Sequence, residues 1–222
     1  MLLTLPNFLT PEQTATVRGL VEQAELGDGR LTGSARLKLN RQSGGLAPGL
    51  EPAQKIIHEA MVTSADFSTF ALPRHYRIFF NRYDVGMYYK AHMDMALMGI
   101  GTPQLLRTDL SFTVFLSDPA DYEGGDFRIE TPFGEQRQRH APGTLICYPS
   151  DMLHEVLPVT RGSRLAAIGW IQSLMPDPRH RELFRAFDQV GRDMLKLLPE
   201  PEPYRERLGR IREGLLRHFS KV

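Results

Sequence analysis

The chain has 222 residues, 24% of them charged, and a formal net charge of +1. That length can bury a core without disulfides or a structural metal, and the near-neutral balance has no basic excess to neutralise nucleic-acid phosphates, so nucleic acid is not an expected partner. The single cysteine, Cys147 in the apolar run Thr144-Leu-Ile-Cys-Tyr148, cannot bridge within the chain. No run reaches the roughly 18 apolar residues of a bilayer span, and Met-Leu-Leu-Thr-Leu-Pro has no basic leader, so a cytoplasmic protein away from membranes is expected.

Near the start, Thr10-Pro11-Glu12-Gln13 offers an N-cap, a proline at the first helical position and a capping-box glutamine. Val17, Leu20, Val21 and Leu26 follow at near-helical spacing. A second helix is predicted from about Pro52 to Ser64, with Ile56, Ile57, Ala60 and Met61 on one face and His58 solvated. From Leu72 to Ser173 the texture becomes short apolar runs punctuated by Gly, Pro and Asp: Tyr76–Phe80, Leu110–Leu116, Phe127–Glu130, Thr144–Tyr148, Glu155–Val159 and Leu165–Ile171. Evenly spaced strands of this kind predict an antiparallel sandwich or barrel.

Pro176-Asp177-Pro178 stops the strands and starts a helix carrying Leu183, Phe184, Phe187, Val190, Met194 and Leu198 on one side. After the breaker Pro199-Glu-Pro201-Glu-Pro203, a last helix places Leu208, Ile211, Leu215 and Phe219 on a stripe among arginines. The expected organisation is therefore residues 1–175 as one domain, with N-terminal helices on a β core, and residues 176–222 as a C-terminal helical appendage. Its two stripes are expected to pack on each other and the barrel flank, or across a homodimer.

The segment that carries chemistry is Tyr83-Asp-Val-Gly86-Met-Tyr-Tyr89-Lys-Ala-His92-Met-Asp94. His-x-Asp alone is weak, but on a strand residues i and i+2 face the same side, so His92 and Asp94 can address one metal. A third ligand must come from elsewhere, and His154 stands after the turn-rich Pro149-Ser150-Asp151 and before another run. Two histidines and one carboxylate, leaving positions open, suit non-haem Fe(II), and the lack of nearby cysteines argues against a thiolate zinc site. Ten residues past His154, Arg164 heads an otherwise apolar strand. Buried there, it needs a carboxylate, which its planar fork can take bidentately.

These motifs, with Glu123-Gly124-Gly125-x-Phe127, Pro142-Gly143 and His154-Glu-Val-x-Pro-Val159, resemble in order and spacing the PKHD-type, prolyl-hydroxylase-like Fe(II)/2-oxoglutarate dioxygenases. Within them the resemblance is to the PiuC-like iron-uptake-factor group. It implies a mainly β double-stranded β-helix (jelly-roll) core with flanking helices, and Fe(II) held by His92, Asp94 and His154. It further implies 2-oxoglutarate as cosubstrate, its distal carboxylate bound by Arg164 and by Tyr83, and L-ascorbate as reductant. Hydroxylation of a small-molecule or peptide substrate, with a link to iron uptake, is the implied activity. Many prolyl hydroxylases carry lysine where this chain has Arg164, so a peptidyl-proline substrate does not follow from the resemblance.

Three rivals are weighed on residues. A halogenase would leave the carboxylate position open, which Asp94 fills. A non-catalytic regulatory module could keep the ligands, but gives no reason for Arg164. Zinc-assisted hydrolysis needs a general base, and Glu155 is expected to face away from His154. Gly124-Gly125 is read as a close backbone turn.

Overall fold

The computed structural model describes residues 2–32, 36–44, 48–200 and 202–221. The chain opens with β1 (Leu3–Leu5) and α1 (Pro11–Gln23), then β2 (Gly27–Asp28), a 3-10 turn over Gly29–Thr32, β3 (Lys38–Leu39) and β4 (Arg41–Gln42). Helices α2 (Glu51–Thr63) and α3 (Ala65–Ala71) precede the long strand β5 (Pro73–Tyr83). Next come β6 (Tyr88–His92), β7 (Leu97–Met98), β8 (Leu106–Arg107), β9 (Leu110–Phe115), β10 (Glu123–Gly124) and β11 (Phe127–Thr131). Then follow β12 (Gly134–Gln138), β13 (Leu145–Pro149), β14 (His154–Val156), β15 (Val159–Arg161), β16 (Arg164–Ser173), α4 (Pro178–Leu197) and α5 (Glu202–Phe219).

Local signals account for the first helix. The Thr10 hydroxyl accepts from the Gln13 amide at 3.2 Å while Gln13 Oε1 accepts from the Thr10 amide at 2.9 Å, closing the expected capping box. Val17 and Val21 are buried one turn apart.

Seven strands form the larger antiparallel sheet in the order β1-β13-β9-β16-β5-β4-β2, and five form the smaller, β12-β11-β14-β6-β3. Along β16 the period of two separates two environments. Leu165, Ala167 and Ile171 join α1, α2 and α3 in the main core, with Val21, Ile57, Phe67, Phe80, Phe112 and Cys147. Arg164, Ile168 and Trp170 line an inner cavity. A second core is shared between the two sheets: Tyr83, Phe115, Ile146 and Tyr148 from the larger meet Phe127, Ile129 and Val156 from the smaller. Each fully buried side chain of this size contributes about 2–3 kcal/mol. The result is the expected mainly β double-stranded β-helix with flanking helices.

Two expectations need correction. The predicted strand Glu155–Val159 is two strands, β14 in the five-stranded sheet and β15 paired with β10. Pro158 has no amide hydrogen to continue a ladder, and the chain changes sheets there. The helical stripes are also rotated from the predicted ones. Phe184 is fully buried, but Val190 is 59% and Met194 43% exposed. Leu208 of α5 instead packs over Gly191, so the contact face passes through residue 191 rather than 190. Leu215, Leu216 and Phe219 then close on Leu72, Met175 and Phe184, leaving Ile211 outside. Thr69 of α3 donates to Asp188 of α4 at 3.1 Å, tying this helical pair to the rest. Pro201, within the expected breaker, lies outside the described residues. Among those residues no helix is long and apolar enough to cross a membrane.

Candidate active site

His92 ends β6 and His154 begins β14, and the antiparallel register sets the two residues opposite each other. Directly paired residues project to one face, so pairing alone delivers both imidazoles to the interior. Asp94 departs from expectation. It lies beyond the end of β6, and its place comes from its amide donating to the Ser150 carbonyl at 3.0 Å. Its Oδ2 accepts from the Ser111 hydroxyl at 2.5 Å, and Ser111 in turn meets the Ser150 hydroxyl at 2.8 Å.

The imidazoles are oriented in the same way. His92 Nδ1 lies 2.7 Å from the Lys90 carbonyl and His154 Nδ1 2.9 Å from the Met152 carbonyl. A carbonyl only accepts, so each Nδ1 carries the hydrogen and each Nε2 presents its lone pair to the interior. Both Nε2 atoms stand 3.8 Å from the Asp94 carboxylate, one from each oxygen. The donor atoms of all three residues lie within 4.8 Å of one another, a spacing one metal ion can bridge. Tyr89 stacks on His92 at 3.6 Å. Burial, helped by the neighbouring His154, pushes His92 down to about 4, so its lone pair is free at neutral pH. Two imidazole nitrogens, one carboxylate and no thiolate fit Fe(II).

The other end of the cavity is cationic. Arg164 heads β16 opposite Tyr83 of β5, is 2% exposed, and lies 5.5 Å from the Tyr83 and Phe115 rings. Its Nε and Nη2 are buried without a hydrogen-bond partner. An unpaired guanidinium there is costly, and a planar carboxylate is the group that matches its two free donors. Burial pushes the Tyr83 hydroxyl up to about 12 against the opposing influence of Arg164, so it remains a protonated donor. Gly125, at φ +63°, lets the turn after β10 run beside the Arg164 side chain; a Cβ there would stand 2.9 Å from Val159 and 3.3 Å from the Arg164 Cδ.

All five expected residues thus line one cavity, together with Asn81, Tyr89, Ser111 and Trp170. Sequence reasoning missed these four. Asn81 could have been found by counting back two from Tyr83, and Ser111 as a hydroxyl in an otherwise apolar run. Glu155 pairs with Arg128, directly across from it on β11 and away from His154, so no base stands beside the triad from that position. A wider groove of about 830 Å³ between α2 and residues 99–104 contains none of the triad. His58 lies there against Tyr76, and Cys147 is buried with its thiol pushed up by burial.

Residues 78–172 match the 2OG-Fe(II) oxygenase superfamily. Over the whole of both chains this protein is 37% identical to the PKHD-type hydroxylase GOX0559 of Gluconobacter oxydans and 35% identical to a PKHD-type hydroxylase of Paracoccus denitrificans. Among solved structures, a Pseudomonas putida prolyl-4-hydroxylase superposes with a TM-score of 0.55 at 18% identity, covering 78% of this chain and 92% of the other. HygX from Streptomyces hygroscopicus, solved with nickel and 2-oxoglutarate bound, gives 0.55 at 15% identity over 78% and 84%.

Proposed function

Since the chain belongs to the PKHD-type hydroxylases and is a 2-oxoglutarate-dependent dioxygenase of the 2OG-Fe(II) oxygenase superfamily, we propose that His92, Asp94 and His154 hold its Fe(II) and that Arg164 and Tyr83 take the distal carboxylate of 2-oxoglutarate. The observation that carries this reading is the buried Arg164 guanidinium with two donors unmet, facing the same cavity as three converging metal-type ligands. When bound, Fe(II) and 2-oxoglutarate supply the oxidising chemistry, releasing succinate and CO2 and placing one oxygen atom in a substrate C–H bond. The protein's part is positioning. Arg164 and Tyr83 fix one end of the cosubstrate, Ser111 holds Asp94, the Lys90 and Met152 carbonyls set the imidazoles, and aromatic walls exclude water.

The unidentified substrate is a small molecule or peptide that reaches the metal past Trp170, which packs edge-on against Phe79 at 5.3 Å and lines the cavity. L-ascorbate as reductant, a cytoplasmic setting and a role in iron uptake complete the proposal, supported by the resemblance of the motifs. The test is succinate formation from 2-oxoglutarate with added Fe(II), without substrate, by the parent protein and by Arg164→Ala. Succinate from the parent and a steep rise in the cosubstrate required by Arg164→Ala are expected. No succinate from the parent at any cosubstrate concentration, with Fe(II) bound, would favour a non-catalytic regulatory module instead.

A further inference from the structure

Behind the cavity wall, a buried lysine belongs to neither ligand set. Lys38 on β3 is 4% exposed, and its ammonium donates to Thr32 Oγ1 at 2.8 Å and to Gln42 Oε1 at 3.1 Å. It lies 5.2 Å from the centre of the Tyr89 ring. No carboxylate is within ion-pair distance of it among the described residues. A buried ammonium facing neutral acceptors has a consequence for those acceptors, because an ammonium can only donate. Gln42 must therefore turn its oxygen to Lys38 and its amide nitrogen away. Gln42 Nε2 donates to Asn81 Oδ1 at 2.7 Å, which in turn points Asn81 Nδ2 at the Tyr83 hydroxyl, 3.3 Å away.

The chain of donors runs one way, from Lys38 through Gln42 and Asn81 to the Tyr83 oxygen. It crosses between the two sheets, since Lys38 pairs with Tyr89 in the smaller and Gln42 with Asn81 in the larger. The Tyr83 oxygen receives a hydrogen from Asn81 and keeps its own to give. Asn40 also lies beside that hydroxyl and opposes the effect of burial on it, although neither atom of its amide has a partner at full hydrogen-bond geometry. That hydrogen is then available to the cavity that Tyr83 and Arg164 both line, and Arg164 has two buried donors unmet there.

We propose that Lys38, through Gln42 and Asn81, is a positioning residue that holds the Tyr83 hydroxyl as a hydrogen-bond donor toward the distal carboxylate of the cosubstrate. This rests on the reading of the Arg164 end as the carboxylate site. Were Gln42 free to flip, Asn81 could present its oxygen to Tyr83 and draw the hydroxyl hydrogen away from the ligand. The relay fixes Asn81 as a donor to the Tyr83 oxygen, so the hydroxyl hydrogen cannot be spent on Asn81.

Gln42→Glu is the discriminating change. Glutamate still accepts from Lys38 but cannot donate to Asn81, so Asn81 reverses and Tyr83 turns its hydrogen to it. Binding of 2-oxoglutarate is read by titration calorimetry on Mn(II)-loaded protein under argon, with melting temperature and Mn(II) affinity as controls for fold and metal site. Gln42→Glu should weaken 2-oxoglutarate about tenfold, the loss of one hydrogen bond to a charged group. In the Tyr83→Phe background it should change the constant less than about twofold, because there is no hydroxyl left to direct. Lys38→Met should weaken binding in the parent and have no effect in Tyr83→Phe. An unchanged constant in both Gln42→Glu and Lys38→Met, or a loss that persists in Tyr83→Phe, overturns the relay. Arg164→Ala separates the two readings: if it weakens binding while the relay variants do not, only the relay fails, and if it leaves binding unchanged, the carboxylate site itself is misplaced.

Discussion

His92 and His154 face each other across β6 and β14, and each turns its Nδ1 to the carbonyl of the residue two before it, Lys90 and Met152. The backbone that creates the pairing thus also selects the tautomer. Both Nε2 lone pairs point inward before any metal arrives, so the side chains need little reordering on binding.

His92→Ala, Asp94→Ala and His154→Ala should each lose stoichiometric Fe(II) while keeping the parent circular dichroism spectrum, since the two larger cores are built by other residues. Metal analysis of the folded variants decides it. A variant with full iron content would remove its residue from the ligand set.

Ser111→Ala should retain the fold but weaken Fe(II) binding by about 10–100-fold, the range for losing a group that orients a ligand. The Ser111 hydroxyl is the donor to Asp94 Oδ2, and without it Asp94 is held by its backbone amide on the Ser150 carbonyl while the carboxylate is free to turn. Competition with a chelator of known affinity measures the change, and an unaltered constant would assign Ser111 to packing alone.

Lys38 should make the protein less stable than its function-free equivalent below pH 8. Burial pushes Lys38 down from 10.5 to about 8, so the folded state resists the proton that the unfolded chain accepts. Between about 8 and 10.5 the unfolded state binds more protons, and this group's contribution to stability therefore rises with pH. Below 8 the full penalty stands, on the order of 3 kcal/mol. Lys38→Met should accordingly match or exceed the parent in denaturant unfolding at pH 7, with the advantage shrinking toward pH 10.5. A large loss of stability at pH 7 would mean that the ammonium's hydrogen bonds outweigh its desolvation.

A chain ending at Leu174 should lose solubility or change its subunit count. Removing α4 and α5 uncovers Leu72 and deletes Phe184, Leu215 and Phe219 from the cluster they share. Light scattering on the fragment and the full chain makes the comparison. A soluble fragment with the same subunit count would show that these helices neither cover essential apolar surface nor join subunits, against the proposed appendage and homodimer.

The amino-acid sequence by itself determined what depends on short windows. The capping box of α1, the continuous apolar run Leu165–Ile171 and the breaker at Pro176-Asp177-Pro178 each act within a few residues, through dihedral preference and local hydrophobicity. Of the five proposed site residues, His92, Asp94, His154 and Arg164 stood out because their side-chain chemistry is rare in such apolar strands and their spacing is distinctive, whereas Tyr83 came only from the resemblance of the motifs. Tertiary structure decided the rest. Only sheet pairing between residues 92 and 154 brings the histidines together, and the backbone bond to Ser150 with the Ser111 hydroxyl directs Asp94 once the strand has ended. The phase of α4 depended on Gly191 meeting Leu208, a contact between two helices. The direction of the Lys38, Gln42 and Asn81 chain likewise required β3 and β4 to fall on opposite sheets. Hydrogen-bond polarity is a property of partners, and those partners lie up to 39 positions apart, from Gln42 to Asn81, where no local periodicity reaches.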